Sequence, residues 1–287
     1  MAARSDGGGG GAAEREPVAE RGGAGREPGR ERRIWRAVAV PVVAIAMVLG
    51  GGQAWVALAV RNASEPSHYT VPITAVALDL QDAMVQVTGG SESTVTMRQN
   101  LNWALRRPQV DRSVSGRVLR IKVRCPRILG VGEPGCNAAL DIQVPRGTDL
   151  TVKMTSGQAV VHDLTGDVSL RAGSGELQLD NVSGRVSAQV SSGTIKGTRI
   201  ASALLRAQVS SGDVSLDFVQ APQQVTLAAS SGSVTATLPP DSTYKVSAHA
   251  DSGATEVDPA LQDPQSARTI SVTAGSGHAV LGYGAGG

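Results

Sequence analysis

Apolar and polar residues alternate through the second half of this chain, and the phase of the alternation is tied to a recurring Ser-Gly pair. Gly157, Gly175, Gly193, Gly212, Gly232, Gly253 and Gly277 each follow a serine, at steps of 18, 18, 19, 20, 21 and 24 residues. The positions seven, five and three before each glycine are nearly all apolar. They begin with Leu150, Val152, Met154, then Val168, Leu170, Ala172, then Val186, Ala188, Val190. The column continues through Leu205, Ala207, Val209 and Val225, Leu227, Ala229, and ends with Val246, Ala248, Ala250 and Ile270, Val272, Ala274. A second column stands two and four residues after the glycines, as in Leu177 and Leu179, Val214 and Leu216, or Ala279 and Leu281. Ile195 with Gly197 and Thr255 with Val257 fit it less well. Alternation of period two is a strand with one buried face. Each repeat therefore predicts two short strands joined at a tight Ser-Gly corner.

Two strands in about 18 residues cannot bury a core alone, but turns stacked on one another bury a continuous one. The expected fold is all-β: a β-solenoid of about 18–21 residues per turn. Small side chains suit it, since Ala and Val fill the columns and the whole chain has one Phe. Glycine suits the corners because it enters positive φ without steric cost. Gly166 and Gly184 mark the opposite corner in the first two turns, which then changes to Ala201-Ser202, to Pro222 and to Pro239-Pro240-Asp241. A sandwich also has many short strands, but its turns recur every 8–12 residues or so without an in-register repeat.

Residues 70–150 lack the Ser-Gly period yet stay strand-like, as in Val76, Leu78, Leu80 and in Leu140, Ile142, Val144. They are expected to form the atypical first end of the same structure, ahead of the repeats at 151–284. Residues 1–33 are Gly, Ala, Arg, Glu and Pro with almost no large apolar residue. Such a segment cannot offset its ordering entropy and is expected to be a disordered cytoplasmic tail. Residues 34–60 are expected as a transmembrane helix, because Ala37–Val60 is 24 residues without a charge, long enough to span about 30 Å of hydrocarbon. Arg30, Arg32, Arg33 and Arg36 precede it and only Arg61 closely follows. The positive-inside rule then keeps the N-terminus in the cytoplasm and places 61–69, a linker, and 70–284 outside the cell membrane. Ala57-Leu58-Ala59 also resembles a signal-peptide cleavage site, so anchor and cleaved leader remain alternatives.

Cys125 and Cys136 are the only cysteines. An even pair in an exported domain reads as a disulfide. The net charge is +2, but residues 61–287 hold nineteen basic and nineteen acidic side chains. A neutral domain without a basic stripe or stacking platform argues against a nucleic-acid partner.

Three stretches carry a family resemblance: Val85-Gln86-Val87-Thr88-Gly89-Gly90, Ile142-Gln143-Val144-Pro145-Arg146-Gly147, and Leu164-Thr165-Gly166-Asp167-Val168 through Ser174-Gly175. They resemble the exported bacterial β-solenoid family of adhesin-like or "toastrack" domains, over about residues 70–284. The Arg-rich, Ala- and Gly-heavy composition is of an actinobacterial type. The resemblance implies a surface-exposed, non-enzymatic module and, in some relatives, a link to envelope-stress signalling.

No catalytic constellation emerges. His68, His162, His249 and His278 sit in no metal-ligand or nucleophile-base spacing. A serine repeated seven times has a structural role, whereas a nucleophile is a single residue with a base. The fifth position after each Ser-Gly holds His162, Asp180, Thr198, Asp217, Thr237, Asp258 and Gly282. In register these form an outward ladder, read either as a weak cation or glycan strip or as polar turn residues facing water. No cofactor or metal is expected. The expected function is a membrane-anchored, extracytoplasmic surface-binding module, not an enzyme, whose partners beyond the membrane are an envelope polymer or a membrane signalling protein. An envelope-stress sensor working with a two-component system is the alternative. A polysaccharide-acting enzyme is the third, and its paired acids are not discernible.

Overall fold

The computed structural model describes residues 61–69, 72–103, 106–128, 131–132 and 136–284. The expected tail (1–33) and membrane span (34–60) lie outside the described residues, among which no helix is long and apolar enough to cross a membrane. The described chain is all-β. In order the strands are β1 (Arg61–Tyr69), β2 (Ala75–Gly90), β3 (Val95–Trp103), β4 (Gln109–Ser115), β5 (Val118–Arg124), the short hairpin β6 (Arg127–Ile128) and β7 (Val131–Gly132), and β8 (Asn137–Pro145). The repeats follow as β9 (Asp149–His162), β10 (Val168–Asp180), β11 (Val186–Ile200), β12 (Leu204–Phe218), β13 (Gln224–Ser231), β14 (Val234–Leu238), β15 (Lys245–Val257) and β16 (Thr269–Tyr283).

Each long strand is one turn of the stack, bent at its Ser-Gly pair. The inward residues stand at odd offsets before the glycine and even offsets after it, so the alternation slips by one at the bend. Leu170 and Ala172 are buried, Gly173 and Ser174 both face out, and Leu177 and Leu179 are buried again. Successive turns pair in parallel and in register: Leu170 lies between Val152 and Ala188, and Leu177 between Ala159 and Ile195. Both inward columns line one core running the length of the stack. One departure occurs between β11 and β12, where the register shifts between Gly197 and Ile200. There Thr198 and Arg199 of β11 stand against Asp217 of β12 alone.

The stacking order is not the chain order. β16 lies between β13/β14 and β15, pairing with both. Residues 245–257 therefore form the outermost turn, and the chain steps back inward through a short 3₁₀ turn at Pro259–Leu261. This explains the partial exposure of Val246, Ala248 and Ala250, which were expected in the core: they have a neighbouring turn on one side only. The first end repeats the device. β2 pairs with β9 on one side and with β5 and β8 on the other. β5 and β8 together form the outermost turn there.

Residues 61–69, expected as a linker, are instead β1, antiparallel to β3, which is itself antiparallel to β8. β4 pairs antiparallel with β5. These strands cover the edge that the stack would otherwise expose. Two rings sit in the core among the small side chains: Phe218 and Tyr244 are both buried.

The two cysteines are joined, with Cα atoms 6.0 Å apart. The bond lies within the ladder. Leu80 pairs with Val123 and Ala83 with Ala138, so the loop replaces the Ser-Gly corner of the β5–β8 turn. Cys125 also donates its N–H to Gln81 Oε1 at 2.8 Å. Both thiols are expected to resist alkylation until reduced, and reduction should lower stability by roughly 2–3 kcal/mol. Hydrogen exchange should then quicken in β5 and β8 and leave β10–β12 protected. Free thiols in exported protein would overturn the assignment.

Candidate functional site

The Ser-Gly corners stack into a continuous backbone seam. All seven glycines have φ between +122° and +152°. A Cβ on Gly193 would sit 1.9 Å from the carbonyl oxygen of Gly175, and one on Gly175 would sit 1.8 Å from that of Gly157. Gly253 likewise rests on Gly277, and Gly277 on Gly232. The seam has no room for a side chain, so these glycines build the scaffold. Their serines run beside it in register and face solvent. Where β2 has no serine, Asp82 takes the position and accepts a hydrogen bond from Ser156.

The ladder five residues beyond the corner is interrupted. His162, Asp180 and Thr198 are in register, but the bulge at Gly197–Ile200 separates them from Asp217. Asp180 is already engaged: His162 Nδ1 lies 3.4 Å from Oδ2, Thr198 donates to Oδ1 at 2.8 Å, and Arg199 pairs with Oδ2 at 2.5 Å. This cluster clips three turns together. No group of three or more His, Cys, Asp or Glu that could hold a metal occurs among the described residues. A second clip lies next to it. The Lys196 ammonium, 2.8 Å away, and the Gln178 amide, 2.9 Å away, hold the Glu176 carboxyl below the usual carboxylate range.

The opposite corner adds a second device to the glycines expected there. Asp163, Asn181 and Arg199 adopt left-handed φ of 57°, 53° and 52°, which Asp and Asn tolerate best among side-chain-bearing residues. Each precedes a fully buried aliphatic residue: Leu164, Val182 and Ile200. Gly166 and Gly184 then let the backbones touch, and the buried Ser202 replaces them in the next turn by donating to Val182 O at 3.3 Å. The signal was present in the sequence as Asp-Leu-Thr-Gly and Asn-Val-Ser-Gly.

The two outward faces differ in charge. We call the face formed by residues before the corner the leading face and that formed by residues after it the trailing face. The leading face exposes Arg120, Lys122, Arg124, Lys153, Arg171, Arg185, Arg206 and Lys245, against Asp79, Asp111, Asp149, Asp167 and Asp251. The trailing face holds Asp141, Glu176, Asp180, Asp213, Asp217 and Glu256, against Lys196, Arg199 and Arg98. A balanced total had argued against a basic stripe; that total conceals segregation by strand phase. Charges assigned to their alternation phase would have revealed it.

Residues 140–282 match the family model Toastrack DUF4097. Among solved structures, a candidate cell adhesion protein from Clostridium sporogenes ATCC 15579 is 14% identical with a TM-score of 0.39, covering 78% of this chain and all of its own. A candidate lipid binding protein from Parabacteroides distasonis ATCC 8503 is 9% identical with a TM-score of 0.44, covering 76% of this chain and 96% of its own. A candidate adhesin from Bacteroides fragilis NCTC 9343 is 9% identical with a TM-score of 0.40, covering 77% and 97%. No curated protein matches the chain.

Proposed function

We propose that the chain is a membrane-anchored, extracytoplasmic, non-enzymatic binding module, a reading supported by the match of residues 140–282 to the toastrack family model. The observation that carries this is the pair of outward faces. Parallel turns in register hold polar side chains in straight rows about 5 Å apart, fixed by a glycine seam that admits no rearrangement. Such faces present a rigid, repetitive surface to an extended partner. The disulfide supports an oxidising compartment outside the cytoplasm. The uncharged Ala37–Val60 segment with arginines on one side supports a single-pass anchor with a cytoplasmic N-terminus.

Topology is tested with single added cysteines in whole cells. One placed before Arg33 should escape impermeant thiol reagents, and one placed after Tyr283 should react. The reverse pattern would overturn the orientation, and a mature chain starting at Val60 would replace the anchor with a cleaved leader. Binding is tested by retention of the full chain on isolated envelope material, with crosslinking to identify what is held.

A further inference from the structure

The leading face carries cations that no ion pair holds, with Asp79 and Asp111 in register on either side of Lys122. Among the described residues, Arg120, Lys122, Arg124, Lys153, Arg171 and Arg206 form no ion pair or hydrogen bond through their side chains. The trailing face is the opposite case, since Lys196 is held by Glu176 and Asp180 by His162 and Arg199. Charges that serve to fasten turns are spent on each other; those of the leading face are not.

Their arrangement is a narrow band. In stacking order across β5, β2, β9, β10, β11 and β12, one row reads Lys122, Asp79, Lys153, Arg171, Gln189, Gln208. The row two residues nearer the strand start begins with Arg120 and ends with Arg206, with Ala77, Thr151, Ser169 and Ser187 between them. Six strands at roughly 4.8 Å make a band about 24 Å long, and two rows make its core about 7 Å wide. Between β5, β2 and β9 the surface dips into a groove of about 360 Å³ lined by Asp79, Arg120, Lys122, Thr151 and Lys153.

We propose that this band is the docking surface for a linear, base-free phosphodiester polymer of the cell envelope, a polyol-phosphate chain laid along the stack. The proposal rests on the reading of the domain as an extracytoplasmic binding module and names its partner class. Unpaired cations on a rigid face attract a polyanion and steer its approach. The width suits one chain; a bilayer would also meet the exposed Asp149 and Asp167 in the row beside the band. The rows carry no aromatic side chain on which bases could stack, and single-stranded nucleic acid depends on such stacking. The intervening hydroxyls suit a partner rich in hydroxyl and phosphate oxygens.

The test uses the full chain in neutral detergent micelles, titrated calorimetrically with poly(glycerol phosphate). Binding should appear at about 50 mM salt and weaken at least about tenfold by about 500 mM, as expected for a screened surface contact. K122Q/K153Q/R171Q should lose at least about tenfold in affinity, R120Q/R206Q should lose a comparable amount, and K196Q on the trailing face should stay within about twofold. All these side chains are exposed, and an unchanged circular dichroism spectrum verifies folding. Full affinity in the triple variant would overturn the proposal. So would equal binding of uncharged dextran, tighter binding of a single-stranded oligonucleotide, or binding to anionic phosphatidylglycerol vesicles without binding to the polymer. Envelope retention separates the two levels. If wild type and the triple variant are held equally, the binding module stands and this surface falls; if wild type is not held, the binding module falls.

Discussion

Gly193→Ala should destabilise the domain by more than about 3 kcal/mol, whereas Gly116→Ala should cost no more than about 1 kcal/mol. Both glycines have positive φ, +140° and +60°. They differ in what surrounds them. A Cβ on Gly193 would overlap the Gly175 carbonyl oxygen at 1.9 Å, a backbone atom that cannot rotate away, while Gly116 has nothing within 4 Å. Relief at Gly193 requires two turns to separate, which breaks the parallel pairing on both sides of the corner. Urea denaturation of the two variants measures the difference. Equal costs would show that left-handed strain alone, and not the close approach, makes the seam glycine-only.

Leu227→Asp should cost several kcal/mol, since it buries an unpaired carboxylate, and Thr226→Asp, one residue away on the surface, should stay within about 0.5 kcal/mol. Leu227 is 1% exposed. Its neighbours above and below are Ala207 and Val272. Nearest-neighbour coupling therefore predicts that hydrogen exchange accelerates first in β12 and β16. Consecutive stacking, as expected from the sequence, would instead place the 245–257 turn against residue 227 and loosen Val246 early. In the observed order β15 responds only through β16. Equal tolerance of both substitutions would show the inward register to be wrong.

The repeat architecture was legible because its two requirements are local. A corner needs a glycine, and a strand with one buried face needs alternation; both recur at every step from Gly157 to Gly232. Stacking order was not legible, because β16 and β15 present the same pattern to a neighbour. Either could follow β13 and β14 as far as Ile270-Val272-Ala274 and Val246-Ala248-Ala250 are concerned. The larger aliphatic residues of β16 suit the position covered on both sides, and that difference in size was the available clue. Charge failed for another reason: a total over 227 residues sums over both strand faces. Arg171 and Glu176 are five residues apart in sequence, yet they lie on opposite sides of the phase change at Gly175 and so on different surfaces. For the proposed binding role, nothing at a single position announced a site, because the relevant unit is a row drawn from several turns.

The inward placement of β2 and β16 also bears on how such a protein can lengthen over evolution and on how it is assembled. A tandem duplication within residues 149–218 adds a rung between two like neighbours and leaves both ends untouched. A copy added after β16 would meet a position that β15 already occupies. Growth is thus confined to the middle, where the spacing is most uniform. Synthesis meets the same geometry, because β15 leaves the ribosome before the strand it must rest on. Its rung can close only after β16 has slipped in beneath it, so the outermost layer at that end is among the last to settle.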